Sequence, residues 1–183
     1  MGRKLIMIVF PRLLSDLLDE MGGPRAGHLA LDFAWHVLDL EREGIEEPVL
    51  SACLEYIEAA HEAIDLGEAV PRLLEVRERL DAVAERRVSN MFFLAGEAQF
   101  TVDAARVGVG LMLDKAYERG PFSHPSCLSV ARQLQAEVGR WAVQHSEGGA
   151  DERLVARRAR WEEARWQVLH ILRTEPNPHN DAG

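Results

Sequence analysis

The sequence is poor in cysteine, nearly devoid of lysine and without a long hydrophobic run. Cys53 and Cys127 are its only cysteines. One bridge is the most they could form, so no disulfide framework organises the chain. Each falls on the apolar side of a predicted helix and reads as a small buried hydrophobe in a reducing compartment. Lysine is confined to Lys4 and Lys115, and arginine supplies the rest of the positive charge. The longest apolar stretch, 91–113, is broken by Glu97, Gln99, Asp103 and Arg106, which argues against a membrane span. Near the N-terminus, Leu5 to Phe10 is too short for a signal peptide and runs into Pro11-Arg12 with no small-residue cleavage site. It reads as a short buried strand or a first helical turn, and the protein is expected in the cytoplasm. No repeat of fixed period occurs, and with 14 Gly and 8 Pro the chain is not of low complexity.

Catalytic motifs are lacking as well. The seven histidines contain no His-x-x-x-His pair, and neither Gly-x-Ser-x-Gly nor a phosphate-cradling glycine loop is present. No nucleophile, base and orienting group can be assembled, so no catalytic residue, cofactor or metal is assigned.

What is present is charge in one place. Residues 1–70 hold five Lys/Arg and 14 Asp/Glu, whereas residues 71–183 hold 16 of each. The whole formal charge of −9 therefore lies in the first two-fifths of the chain. Such a concentration projects a field that attracts basic partners and repels nucleic acid.

Helical periodicity runs through nearly every segment beyond Pro11. The Gly22-Gly23-Pro24 break ends a first helix, 12–21. A second, 25–43, carries Ala26, Ala30, Phe33, Val37 and Leu40 on one face. A third starts near Pro48, shows the stripe Leu50, Cys53, Ile57, Ala60 and Ile64, and is capped by Gly67. A fourth, 69–87, has Glu75–Arg79 and Arg77–Asp81 at i,i+4 spacing. The fifth, 89–118, is apolar almost all round, and Gly108 and Gly110 either allow close approach or break it in two. Ser123 and Pro125 suit the start of a sixth helix, and Asp151 to about Arg173 forms the last. No strand alternation is evident. The expectation is an all-α bundle of six to seven mostly antiparallel helices, one domain over 1–173, with a disordered tail at 174–183.

Several constellations could carry function. Glu55, Glu58, Glu62 and Asp65 form a row on the third helix, facing away from its apolar stripe. Glu58-Ala-Ala-His61 within it matches half of a di-iron motif, but no second Glu-x-x-His exists. On the second helix His28, Asp32, His36, Asp39 and Glu43 make the one polar strip. His and Asp one turn apart could share a divalent ion, while about 12 Å of helix separates His28 from His36. The plainer reading is a solvated acidic face on the third helix and, on the second, a helix packed on several sides with its one wet edge showing. The functional alternative is a partner-binding acidic face that continues over both, made pH-sensitive by His28 and His36. Glu97, Asp103 and Arg106 sit in the apolar fifth helix, where Asp103 and Arg106 can neutralise each other, or Glu97 and Arg106 can line a ligand pocket. The last helix is rich in arginine. Arg158 and Arg165 fall within its apolar arc and need carboxylates, tryptophan or a ligand, most naturally by docking on the acidic N-terminal half.

Three stretches taken together resemble a known group: the helix His28 to Glu41, the Ala-rich helix Ala95 to Ala116, and Arg160-Trp-Glu-Glu-Ala-Arg-Trp-Gln-Val-Leu. In order and character these are similar to helical immunity proteins of bacterial polymorphic toxin systems. The resemblance implies a non-catalytic protein that neutralises a toxin by binding it, and the charge distribution adds that the partner is basic and meets Asp32, His36, Asp39, Glu55, Glu58, Glu62 and Asp65. The alternative is a helical small-molecule-binding protein or enzyme using Glu97, Asp103 and Arg106, with Arg158 and Arg165. Neither reading involves nucleic acid or a membrane.

Overall fold

Helix boundaries follow the stop signals closely in the computed structural model, which describes residues 9–19, 21, 23–88, 91–116, 124–146 and 151–175. The fold is all-α. Helices α1 (Val9–Asp19), α2 (Gly23–Leu40), α3 (Glu47–Leu66), α4 (Pro71–Ala84), α5 (Gly96–Ala116), α6 (Cys127–Gln144) and α7 (Glu152–Thr174) are joined by a 3-10 turn at Arg42–Gly44 and a hairpin of β1 (Glu85–Val88) and β2 (Met91–Leu94). None of the described helices is long and apolar enough to cross a membrane.

The caps explain where these helices stop. Gly67 closes α3 in the left-handed region at φ 68°, where a side chain would be strained, and Glu68 N–H reaches back to the Ala63 carbonyl. Pro48 and Pro71 open α3 and α4, at positions where a missing N–H costs nothing. Asp151 Oδ1 accepts from the N–H groups of Arg153 and Leu154 at the start of α7. The cap of α6 is Ser126, whose hydroxyl accepts from Ser129 N–H at 3.1 Å; Ser123 lies outside the described residues.

The hairpin corrects the expectation of unbroken helix on either side of residue 88. Arg86 pairs with Phe93 and Arg87 with Phe92 in antiparallel register. The β-branched Val88 in β1 and the aromatic Phe92 and Phe93 in β2 favour a ribbon over helix continuation. Two further expectations fall largely outside the described residues: a strand at Leu5–Phe10, of which Val9 and Phe10 begin α1, and the tail from 176 onward.

The chain divides into two compact units: Met21–Leu134, and Met1–Glu20 together with Gln135–Gly183. In the first, α5 is central to a core of Phe33, Tyr56, Phe100, Leu31, Leu73 and Leu80, all fully buried. Each such side chain contributes about 1.5–3 kcal/mol on leaving water. The crossing of α2 and α5 depends on glycine: a Cβ on Gly27 would meet Gly108 Cα at 2.7 Å. Gly108 thus lets helices approach instead of breaking α5. In the second unit α7 packs on α1, burying Leu14 and Leu18 beside Ala164, Val168 and Ile171.

Candidate functional site

The acidic row of α3 stands on the outside of its helix, as its spacing requires. Glu58 and Asp65 are 69% and 71% exposed, and Glu62 and Glu55 about half as free or somewhat more, at 45% and 40%. The row is not bare, however. Arg72 of α4 forks to Glu58 at 3.0 Å and Glu62 at 3.5 Å, and Arg79 reaches Glu55 at 2.8 Å. Arg79 thereby leaves Glu75, its expected i,i+4 partner, whereas Arg77–Asp81 forms as the spacing requires, at 3.0 Å. Exposed pairs of this kind contribute only about 0–1 kcal/mol. Their effect is to hold three carboxylates in fixed positions and to halve the charge of the row.

The inner end of the row makes a contact that no single helix could reveal. His28 Nε2 lies 3.1 Å from Asp65, His61 Nε2 lies 3.6 Å from Asp32, and the two Nδ1 atoms face each other at 2.7 Å. The ring planes differ by 11°, with centroids 5.0 Å apart. That separation with that nitrogen contact puts the rings edge to edge, so four side chains form a line: Asp65, His28, His61, Asp32. All but Asp65 are about one-third exposed. Burial pushes the His61 pKa down, Asp32 works against this, and His28 reinforces it. Donors strung in a line do not converge on an ion, and among the described residues no three His, Cys, Asp or Glu side chains could hold one. Asp32 turns to His61 here, and His36, one turn further along α2, is itself engaged in an interaction. Asp39 is exposed and lies 3.7 Å from Arg42.

The second set of sequence candidates is dispersed. Asp103 accepts hydrogen bonds from the amides of Gln99 at 3.1 Å and Gln133 at 3.3 Å, and no ion pair joins it to Arg106. Glu97 lends its carbonyl to the Thr101 hydroxyl at 2.7 Å. Arg158 and Arg165 are exposed, contrary to the expectation that they need buried partners, and Arg165 pairs loosely with Glu162 of its own helix at 3.9 Å. The buried stripe of α7 is Ala164, Val168 and Ile171, rotated away from both arginines, and the apolar Leu154 and Leu172 are half-exposed. A cleft of about 350 Å³ between α6 and α7 is lined by Gly139, Val143, Ala156, Arg153 and Arg160, and by none of those five candidates.

Three polar groupings carry no sequence signal beyond the presence of polar residues in apolar segments. Arg77 lies 5.9 Å above the buried Tyr56 ring; burial opposes its charge, but Tyr56 and Asp81 outweigh this and raise its pKa. Gln135 donates to Gln167 at 2.8 Å, which donates to the buried Glu163 at 3.0 Å. His124 lies over Gly110, with Nε2 3.2 Å from Asp114.

Neither a protein-family model, a curated protein nor a solved structure matches the chain.

Proposed function

We propose that the protein works by binding, and that the acidic face of α2 and α3 receives a basic protein partner. Immunity against a toxin, by occluding it, is the concrete form of this reading. One observation carries it: residues 21–134 hold 19 Asp/Glu against 11 Lys/Arg, so eight of the nine net negative charges fall in one compact unit. A field so placed steers a basic protein and raises its association rate more than its final affinity. The arginines of α4 suit the same purpose. By fixing Glu55, Glu58 and Glu62 before contact they reduce the side-chain entropy lost on binding.

The test is co-expression with the protein encoded by the neighbouring gene, followed by association kinetics. Reversing Glu58 and Asp65 together to lysine is expected to slow association about tenfold or more at low salt and to flatten its salt dependence. Thermal stability should change by less than about 1 kcal/mol, because both groups are exposed. Unchanged association kinetics in the reversed variant would remove the acidic face from the mechanism.

A further inference from the structure

The line Asp65, His28, His61, Asp32 contains a proton count that decides its chemistry. His28 Nε2 is within donating distance of Asp65, at 3.1 Å, whereas the 3.6 Å from His61 Nε2 to Asp32 is an electrostatic contact longer than a hydrogen bond. The 2.7 Å contact between the Nδ1 atoms needs one proton, shared between them. Two protons, one on His28 Nε2 and one between the Nδ1 atoms, satisfy both hydrogen bonds in a neutral pair. A third, on His61 Nε2 beside Asp32, leaves both intact and makes one positive charge. With four, two N–H groups point at each other at 2.7 Å, which no hydrogen bond can accommodate.

We propose that His28 and His61 form a proton switch on the acidic face, tying α2 to α3 while a single proton lies between the two Nδ1 atoms and parting when both Nδ1 atoms are protonated. The regulatory consequence rests on the binding reading above, since the added positive charge also offsets negative charge on the surface offered to a basic partner. The groups facing the pair are few. Asp32 comes from α2 and Asp65 from α3, and Arg72 of α4 is taken up by Glu58 and Glu62. Arg25 and His36 also belong to α2, one turn before His28 and one turn after Asp32, and each takes part in an interaction of its own. From α5 the neighbour is Gly108, set against Gly27 and Ile64 and bearing no charge. Burial disfavours the charged form of His61, and the neighbouring His28 adds to this.

Imidazole nitrogen NMR on the full chain, titrated from pH 8 to 5, tests the switch directly. Two protonation steps are expected, separated by more than about one pH unit as for any strongly coupled pair. His28→Gln removes the neighbour that pushes His61 down, so the His61 midpoint should move up, whereas Asp32→Asn should move it further down. Circular dichroism of both variants checks that the fold is retained, and a wild-type spectrum with a single proton shared between the two Nδ1 atoms provides a readout that needs no variant. Simultaneous titration of the two rings, or a His61 midpoint indifferent to His28→Gln, would overturn the proposal. Its failure and that of the binding reading are separable: a two-step titration in a protein whose partner binds equally well at pH 7.5 and pH 5.5 keeps the switch and discards its role in binding.

Discussion

At Cys53 and Cys127 the surroundings decide the chemistry. Burial lifts the Cys53 thiol to about 11, against a lowering contribution from Thr101 and a raising one from Glu97, and lifts Cys127 to about 12. A thiolate is the reactive form, so both groups should be inert at neutral pH. A thiol reagent such as dithionitrobenzoate is expected to label neither in the native protein at pH 7.5 and to label both at once in guanidinium. Fast labelling of one native thiol would show that its helix opens easily. The expectation of buried, unpaired cysteines comes from their places in apolar stripes, and both are free and buried. The histidines teach the opposite lesson. His28 and His61 lie 33 positions apart on different helices, and periodicity within one helix holds no information about a partner on another. The Glu58-x-x-His61 spacing drew attention to the right residue for a metal role that the linear arrangement does not suit.

Between elements, the α2–α5 crossing sets the strictest demand. Gly27 meets the backbone of Gly108, which cannot swing aside as a side-chain end can. Gly27→Ala should cost about 1–3 kcal/mol in denaturant unfolding through overpacking. Gly96→Ala, with nothing within 4 Å of its added methyl, should be neutral within about 0.5 kcal/mol. Equal effects at both positions would mean that the crossing relaxes freely. Helices with a strong cap, such as α3 with Gly67 and α7 with Asp151, were legible to within a residue or two because the cap is local chemistry. The hairpin was not. Four-residue strands are too short for a period to emerge, and Arg86-Arg87 opposite Phe92-Phe93 does not alternate. The α7 face was misread for a related reason: buried Glu163 and Gln167 support each other with Gln135, so the helix hides polar residues and shows Leu154 and Leu172.

For the molecule as a whole, the two units differ in what fills them. Residues 21–134 bury Phe33, Tyr56 and Phe100 completely, while the described core of the other unit is built of aliphatic residues around a polar network. Hydrogen exchange should therefore be slowest in α3 and α5 and faster in α1 and α7. The reverse order, read by mass spectrometry of proteolytic peptides, would contradict this account of the core. The second unit also draws its parts from both ends of the sequence, and that has a consequence in time. During synthesis α1 emerges early, yet α7, against which Leu14 and Leu18 are buried, follows about 130 residues later. At about 5–20 residues per second the ribosome needs on the order of ten seconds to supply it. Throughout that interval α1 lacks the helix against which its apolar side is buried.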